Sequence, residues 1–152
     1  MIKKAMLLLA VSVAFFGCTS TKSTLKNVDY KATKPKVVGG KYIITQYAND
    51  SKYGYDKDYP INLGFANINA EAFFVKLFFN GLTDTNGEAF AFKKVETCCP
   101  FPTHHSNMGT GLLHKYQVTF NNGTTKYLYI NIYEKGEILC PNGFKIVPQQ
   151  IK

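Results

Sequence analysis

Asn121-Asn122-Gly123 separates two runs rich in β-branched and aromatic residues, Leu112–Phe120 and Lys126–Tyr133, and no other feature constrains the fold as tightly. Such a turn predicts a β-hairpin, and its loop length decides which side chains share a face. A two-residue Asn122-Gly123 loop would set Lys115 and Gln117 on the same face as Leu128 and Ile130, a poor buried surface. A three-residue loop with Gly123 left-handed sets His114, Tyr116 and Val118 beside Ile130, Leu128 and Lys126, so that residue 116 faces residue 128. The three-residue loop is therefore expected. It leaves Tyr127, Tyr129 and Tyr133 on the opposite face, where tyrosine suits a half-buried strand and could also stack on a sugar or another flat ligand.

One helix is legible. Ala70, Phe73, Phe74, Leu77 and Phe78 recur at i, i+3, i+4, i+7 and i+8, with Asn69 where an N-cap belongs and Gly81 where a left-handed residue would end the helix. Lys41–Tyr47, Pro60–Phe65 and Glu88–Thr97 read as further strands, bounded by turn chemistry. Several strands and one amphipathic helix predict an α+β fold, a small and mostly antiparallel sheet covered by that helix.

Met1 to Cys18 has a different character. Lys3 and Lys4 precede an apolar run, Ala5–Phe16, that ends at Gly17-Cys18, the pattern of a secretory leader. The run is 12 residues, whereas a helix needs about 20 to cross a bilayer. Phe15-Phe16-Gly17-Cys18 resembles a lipobox, with bulkier residues than usual before Gly17; the alternative is an ordinary signal peptide. Acyl chains such as palmitate contribute about 0.8 kcal/mol per buried methylene, so a doubly acylated Cys18 would hold the protein on a lipid bilayer. The expected organisation is a leader over 1–17, a basic disordered tether over 18–40, and a single domain over 41–152. Thr19, with no acidic run after Cys18, is similar to lipoproteins sorted to the outer membrane, here facing the periplasm.

The formal charge of +8 invites a nucleic-acid reading, and its distribution argues against one. From Thr19 to Lys41 six lysines face Asp29 alone, while from Tyr42 onward ten lysines face nine acids. The basicity belongs to the leader and the tether. The chain also has no arginine, the residue best suited to gripping phosphate with two parallel hydrogen bonds. No nucleic-acid partner is expected.

Candidate chemistry lies between Glu96 and His114, which holds Cys98, Cys99, His104, His105 and His114. Thiolates and imidazoles are zinc-like or copper-like ligands, and Cys98, Cys99, His104 and His105 are the weak metal candidates. Adjacent cysteines rarely both reach one tetrahedral ion, and no C-x-x-C pair occurs. In an oxidising compartment the alternative is a disulfide from Cys98 or Cys99 to Cys140, closing a loop of about 40 residues and leaving one buried thiol. A bond between the neighbours is conceivable but strained. His114, on the apolar strand face, reads as a core histidine, and His104 and His105 as exposed loop residues. No metal and no cofactor is expected.

Glu96-Thr97-Cys98-Cys99-Pro100-Phe101, Gly109-Thr110-Gly111-Leu112-Leu113-His114-Lys115-Tyr116, Leu128-Tyr129-Ile130-Asn131 and Pro141-Asn142-Gly143-Phe144, with Tyr53-Gly54-Tyr55 and Asn86-Gly87-Glu88, resemble a family of short lipoproteins from Bacteroidota. The resemblance spans most of the mature chain and implies a lipid-anchored envelope protein. Members have no established activity. Some carry the name 2-dehydro-3-deoxyphosphooctonate aldolase, a chemistry that belongs to a cytoplasmic barrel about twice this size. Members more often have an acidic residue at the place of His114 and a residue other than cysteine at the place of Cys140, whereas Cys98-Cys99 matches.

Two function classes follow. One is a non-enzymatic binding or structural module, anchored through Cys18, that contacts an envelope protein or glycan. The other is a thiol-redox or metal-dependent enzyme using the Cys98-Cys99 loop, or an activity behind the aldolase name. Catalysis needs a nucleophile, a base and an orienting group in one pocket, and Asp56, Asp58, Glu88 and Glu96 are scattered without a motif that assigns acid and base roles. No catalytic residue is therefore assigned.

Overall fold

The computed structural model describes residues 22–65 and 68–148; the leader and the acylation candidate Cys18 lie outside them. Among the described residues the strands are β1 (Val37–Val38), β2 (Lys41–Tyr42), β3 (Ile61–Asn62), β4 (Leu82–Thr83), β5 (Ala91–Pro102), β6 (Thr110–Thr119), β7 (Thr125–Asn131) and β8 (Lys145–Ile146), with one α-helix, α1 (Glu71–Asn80), entered through a 3₁₀ turn over Ile68–Ala70. The main sheet has the order β3-β7-β6-β5. β5, β6 and β7 are antiparallel neighbours, and β3 joins β7 in parallel. The fold is α+β, as the pattern of elements predicts.

The hairpin of β6 and β7 has the expected register. Tyr116 faces Leu128 and His114 faces Ile130, and the Phe120 N–H donates to Thr124 O at 2.9 Å around an Asn121-Asn122-Gly123 loop. Gly123 is left-handed, φ 82, the conformation glycine adopts at least cost. One face of the hairpin thus delivers Tyr116, Val118, Leu128 and Ile130 to the core.

The helix is rotated from the predicted face. Val75, Leu77, Phe78 and Phe79 are buried, while Phe73 is 59% exposed. Adjacent apolar pairs permit two nearby faces, and Glu71 selects between them by bonding to the sheet beneath. The cap differs as well: Ala70 occupies the N-cap position, and Gly81 is right-handed, φ −77. Glycine is needed at 81 for proximity, because a Cβ there would lie 2.7 Å from Tyr42 O.

The expected tether is docked from Leu25 onward. Leu25 is buried with Phe101 and Leu113. The Asn62 amide donates to Lys26 O (3.1 Å) and Asn27 O (2.8 Å), and the Asp29 N–H donates to Lys135 O (2.8 Å). Gly39 and Gly40, which read as the end of a linker, are both left-handed, φ 58 and 72, and form the two-residue turn between β1 and β2. Side-chain hydrogen bonds from residues distant in sequence order this polar segment, so its composition alone is misleading.

Candidate functional site

The residues singled out for chemistry between Glu96 and His114 separate into three places. His114, on β6 and 7% exposed, lies under α1. Its Nδ1 is 2.5 Å from Glu71 Oε1, the Tyr116 hydroxyl donates to the same oxygen at 2.8 Å, and Lys94 Nζ stands 3.5 Å from Oε2. Burial, then the bond to Glu71 and its charge, hold the proton on Tyr116. The cluster fastens helix to sheet, which agrees with reading His114 as a core residue.

The cysteine pairing differs from the expected one. Cys98 and Cys99 are bonded to each other, and Cys140 is a free, buried thiol. A bridge to Cys140 fails because the partners belong to different clusters. Cys140 packs in the main core, whereas Cys99 packs against Leu25, Phe101 and Leu113. Burial pushes the Cys140 thiol up to about 12, and that thiol faces Pro141 O at 3.7 Å.

His104 and His105 occupy the loop between β5 and β6, with ring centroids 4.4 Å apart and Tyr30 at 5.6 Å from each. His105 Nδ1 lies 3.2 Å from Glu134 Oε2, and Glu134 is fully buried. Burial, then the Glu134 charge, raises the pKa of Tyr30. Among the described residues, no group of three or more His, Cys, Asp or Glu is arranged to hold a metal ion. The weak metal candidates Cys98, Cys99, His104 and His105 are not assembled into a ligand set. Neither Tyr30 nor Glu134 was legible as a neighbour of these histidines, because both come from distant segments with no motif of their own.

The sheet face opposite α1 offers a different chemistry. Tyr127 is 45% exposed, and Tyr129 is half-buried one strand pleat further along. Lys115 Nζ, 5.2 Å from the Tyr127 ring centroid and 5.8 Å from that of Tyr129, bridges the two, with Glu96 Oε2 at 3.6 Å. Tyr129 also lines an open cleft of about 360 Å³ with Ser51, Lys52, Tyr55, Asp56 and Lys57. Tyr133, expected in the same row, turns instead onto Phe101, at 5.9 Å between ring centroids.

The far wall of that cleft is a loop held rigidly against β7. The Tyr129 N–H donates to Gly54 O at 2.7 Å, and the Gly54 N–H donates to Tyr59 O at 2.8 Å. Gly54 is left-handed, φ 80, and a Cβ there would press on Ile61 and Leu128 at 3.1 Å. Tyr53 is fully buried and anchors the loop: its hydroxyl donates to Glu137 O (3.3 Å) and accepts from the Leu139 N–H (3.1 Å). Tyr55 donates to Asn142 O at 2.5 Å. The loop backbone and the Tyr55 ring are thus held in place beside Tyr129, an arrangement suited to binding. A larger cleft of about 520 Å³, bordered by Asp29, Lys31, Thr45, Gln46 and Glu137, has no aromatic ring in its wall.

The chain matches no protein-family model, no curated protein and no solved structure.

Proposed function

We propose that this protein is a lipid-anchored envelope module, attached through Cys18 to the outer membrane on its periplasmic side, that binds a glycan on the sheet face opposite the helix. The observation that carries the binding part is the pair of exposed Tyr127 and half-buried Tyr129, bridged by Lys115 and bordered by the Tyr55 and Asp56 cleft. A pyranose presents an apolar C–H face that stacks on tyrosine, and its hydroxyls find a carboxylate and ammonium groups in Asp56, Lys52 and Lys57. The anchoring part rests on Gly17-Cys18 after the apolar run and on the resemblance to short envelope lipoproteins.

A binding role is favoured over catalysis because the candidate reactive groups lie in separate places and do not share one pocket. Cys98 and Cys99 are bonded to each other, Cys140 is buried in the core, and His114 is held by Glu71 beneath the helix.

Binding of the full chain in detergent to a panel of neutral and acidic oligosaccharides tests the reading. A glycan that binds should lose about tenfold in affinity with Tyr129→Ala or Tyr127→Ala, and nothing with Phe73→Ala on the helix. Absence of any glycan binding, or equal affinity in all three variants, would sink it. Membrane fractionation of Cys18→Ser, with mass spectrometry of the wild-type N-terminus, tests the anchor separately.

A further inference from the structure

β5 is the outer strand of the main sheet, and its pairing with β6 breaks at the cysteines. Cys98 faces Leu113 and Pro100 faces Leu112, so Cys99 is the extra residue of a bulge. Its backbone is left-handed, φ 57, a conformation costly for any residue with a Cβ. Both cysteines are half-buried, and on an outer strand one side has no neighbouring strand to shield it. A disulfide between chain neighbours closes the shortest possible loop, so it restrains the unfolded chain least and adds least to global stability. Its consequences are local.

We propose that Cys98–Cys99 is a reversible thiol–disulfide exchange site whose substrate is a dithiol, such as the reduced form of a dithiol reductase in the same compartment. Reduction loosens the end of the β5–β6 hairpin that carries His104 and His105. A thiolate of the dithiol attacks one sulfur of the pair, the S–S bond breaks, and the displaced cysteine leaves as a thiolate that takes a proton from water. The second thiol then attacks the mixed disulfide and releases the other cysteine. The dithiol loses two electrons and becomes a disulfide, and the cysteine pair gains both electrons and two protons. Cys140 does not compete as a resolving thiol, being buried in the main core rather than in the cluster that holds Cys99. Once the ring opens, nothing covalent holds Cys99 left-handed, while Phe101 stays packed with Leu25 and Leu113. The relaxation is therefore confined to the bulge and the loop beyond it.

Reduced dithiothreitol applied to the full chain in detergent without denaturant, followed by iodoacetamide and peptide mapping, tests this. The expected result is alkylation of Cys98 and Cys99, none of Cys140, and amide exchange over 97–109 about tenfold faster with the rest of the sheet unchanged. Oxidised dithiothreitol should restore both the disulfide and the protection. The double variant Cys98→Ser, Cys99→Ser should exchange like the reduced protein and ignore the dithiol. Three outcomes would overturn the proposal: no alkylation before denaturation; alkylation that includes Cys140 with protection lost throughout; or exchange over 97–109 that is the same oxidised and reduced.

Discussion

Glu71 Oε1 and His114 Nδ1 meet at 2.5 Å across 43 residues of chain, and this contact sets the rotation of α1 on the sheet. Residue 71 must face β6, so Val75, Phe78 and Phe79, one and two turns further on, are carried inward and Phe73 outward. A charge in the first helical turn also suits the helix dipole. Glu71→Ala should cost about 2–3 kcal/mol, since it leaves the His114 ring without its partner and the Tyr116 hydroxyl without its acceptor. Glu71→Gln, which keeps an acceptor oxygen, should cost less. Urea unfolding of the two variants measures the difference, and equal small losses would show that the contact does not orient the helix.

The sequence carried the hairpin register because the alternation of Tyr116, Val118, Leu128 and Ile130 chose between the two loop lengths that Asn121-Asn122-Gly123 permits. It left the helix face ambiguous because Phe73-Phe74 and Leu77-Phe78-Phe79 satisfy more than one phase, and only the distant His114 resolves it. Cysteine pairing was not legible for a topological reason. Which cluster a cysteine joins depends on the strand it ends and the face it takes, and Cys140 and Cys99 fall in different clusters. The tyrosine face was legible through Tyr127 and Tyr129, whereas the cleft beside it needed the loop around Gly54 to fold against β7.

Gly81 closes α1 with right-handed torsion, so conformational freedom is not what the position requires. The constraint is Tyr42 O, 2.7 Å from where a Cβ would sit. Gly81→Ala should therefore destabilise by about 1–3 kcal/mol through displacement of β2, although alanine is the better helix former. A variant as stable as the wild type in urea would show that β2 gives way without cost.

Tyr42 is 1% exposed, and its hydroxyl has no hydrogen-bond partner among the described residues. Its ring packs near Phe74, with centroids 6.5 Å apart. Tyr42→Phe keeps the ring and removes the unpaired polar atom, so stability should stay level or rise by about 1 kcal/mol. A loss of more than that in the unfolding midpoint would reveal a partner for the hydroxyl, such as a buried water.

Several tyrosines tie the stability of the fold to alkaline pH. Burial raises the Tyr42 and Tyr55 hydroxyls from 10.0 to about 12 and pushes Tyr53 and Tyr116 up as well. A group whose folded pKa is raised keeps its proton in the native state after the unfolded chain has lost it. Above the ordinary tyrosine value the unfolded state therefore binds fewer protons, and stability falls with pH. The contribution of these groups is complete below pH 10.0 and is lost as the pH climbs through their folded values. Each fully buried hydroxyl contributes a slope of at most about 1.4 kcal/mol per pH unit, and the partly exposed Tyr55 contributes less. Urea midpoints followed by circular dichroism from pH 8 to 11.5 should be flat to about pH 10 and then fall steeply. Tyr53→Phe should make that fall shallower while lowering the plateau, because it removes one titrating group together with the bonds to Glu137 and Leu139. An unchanged slope in Tyr53→Phe would mean that this hydroxyl ionises as readily in the folded protein as in the unfolded chain.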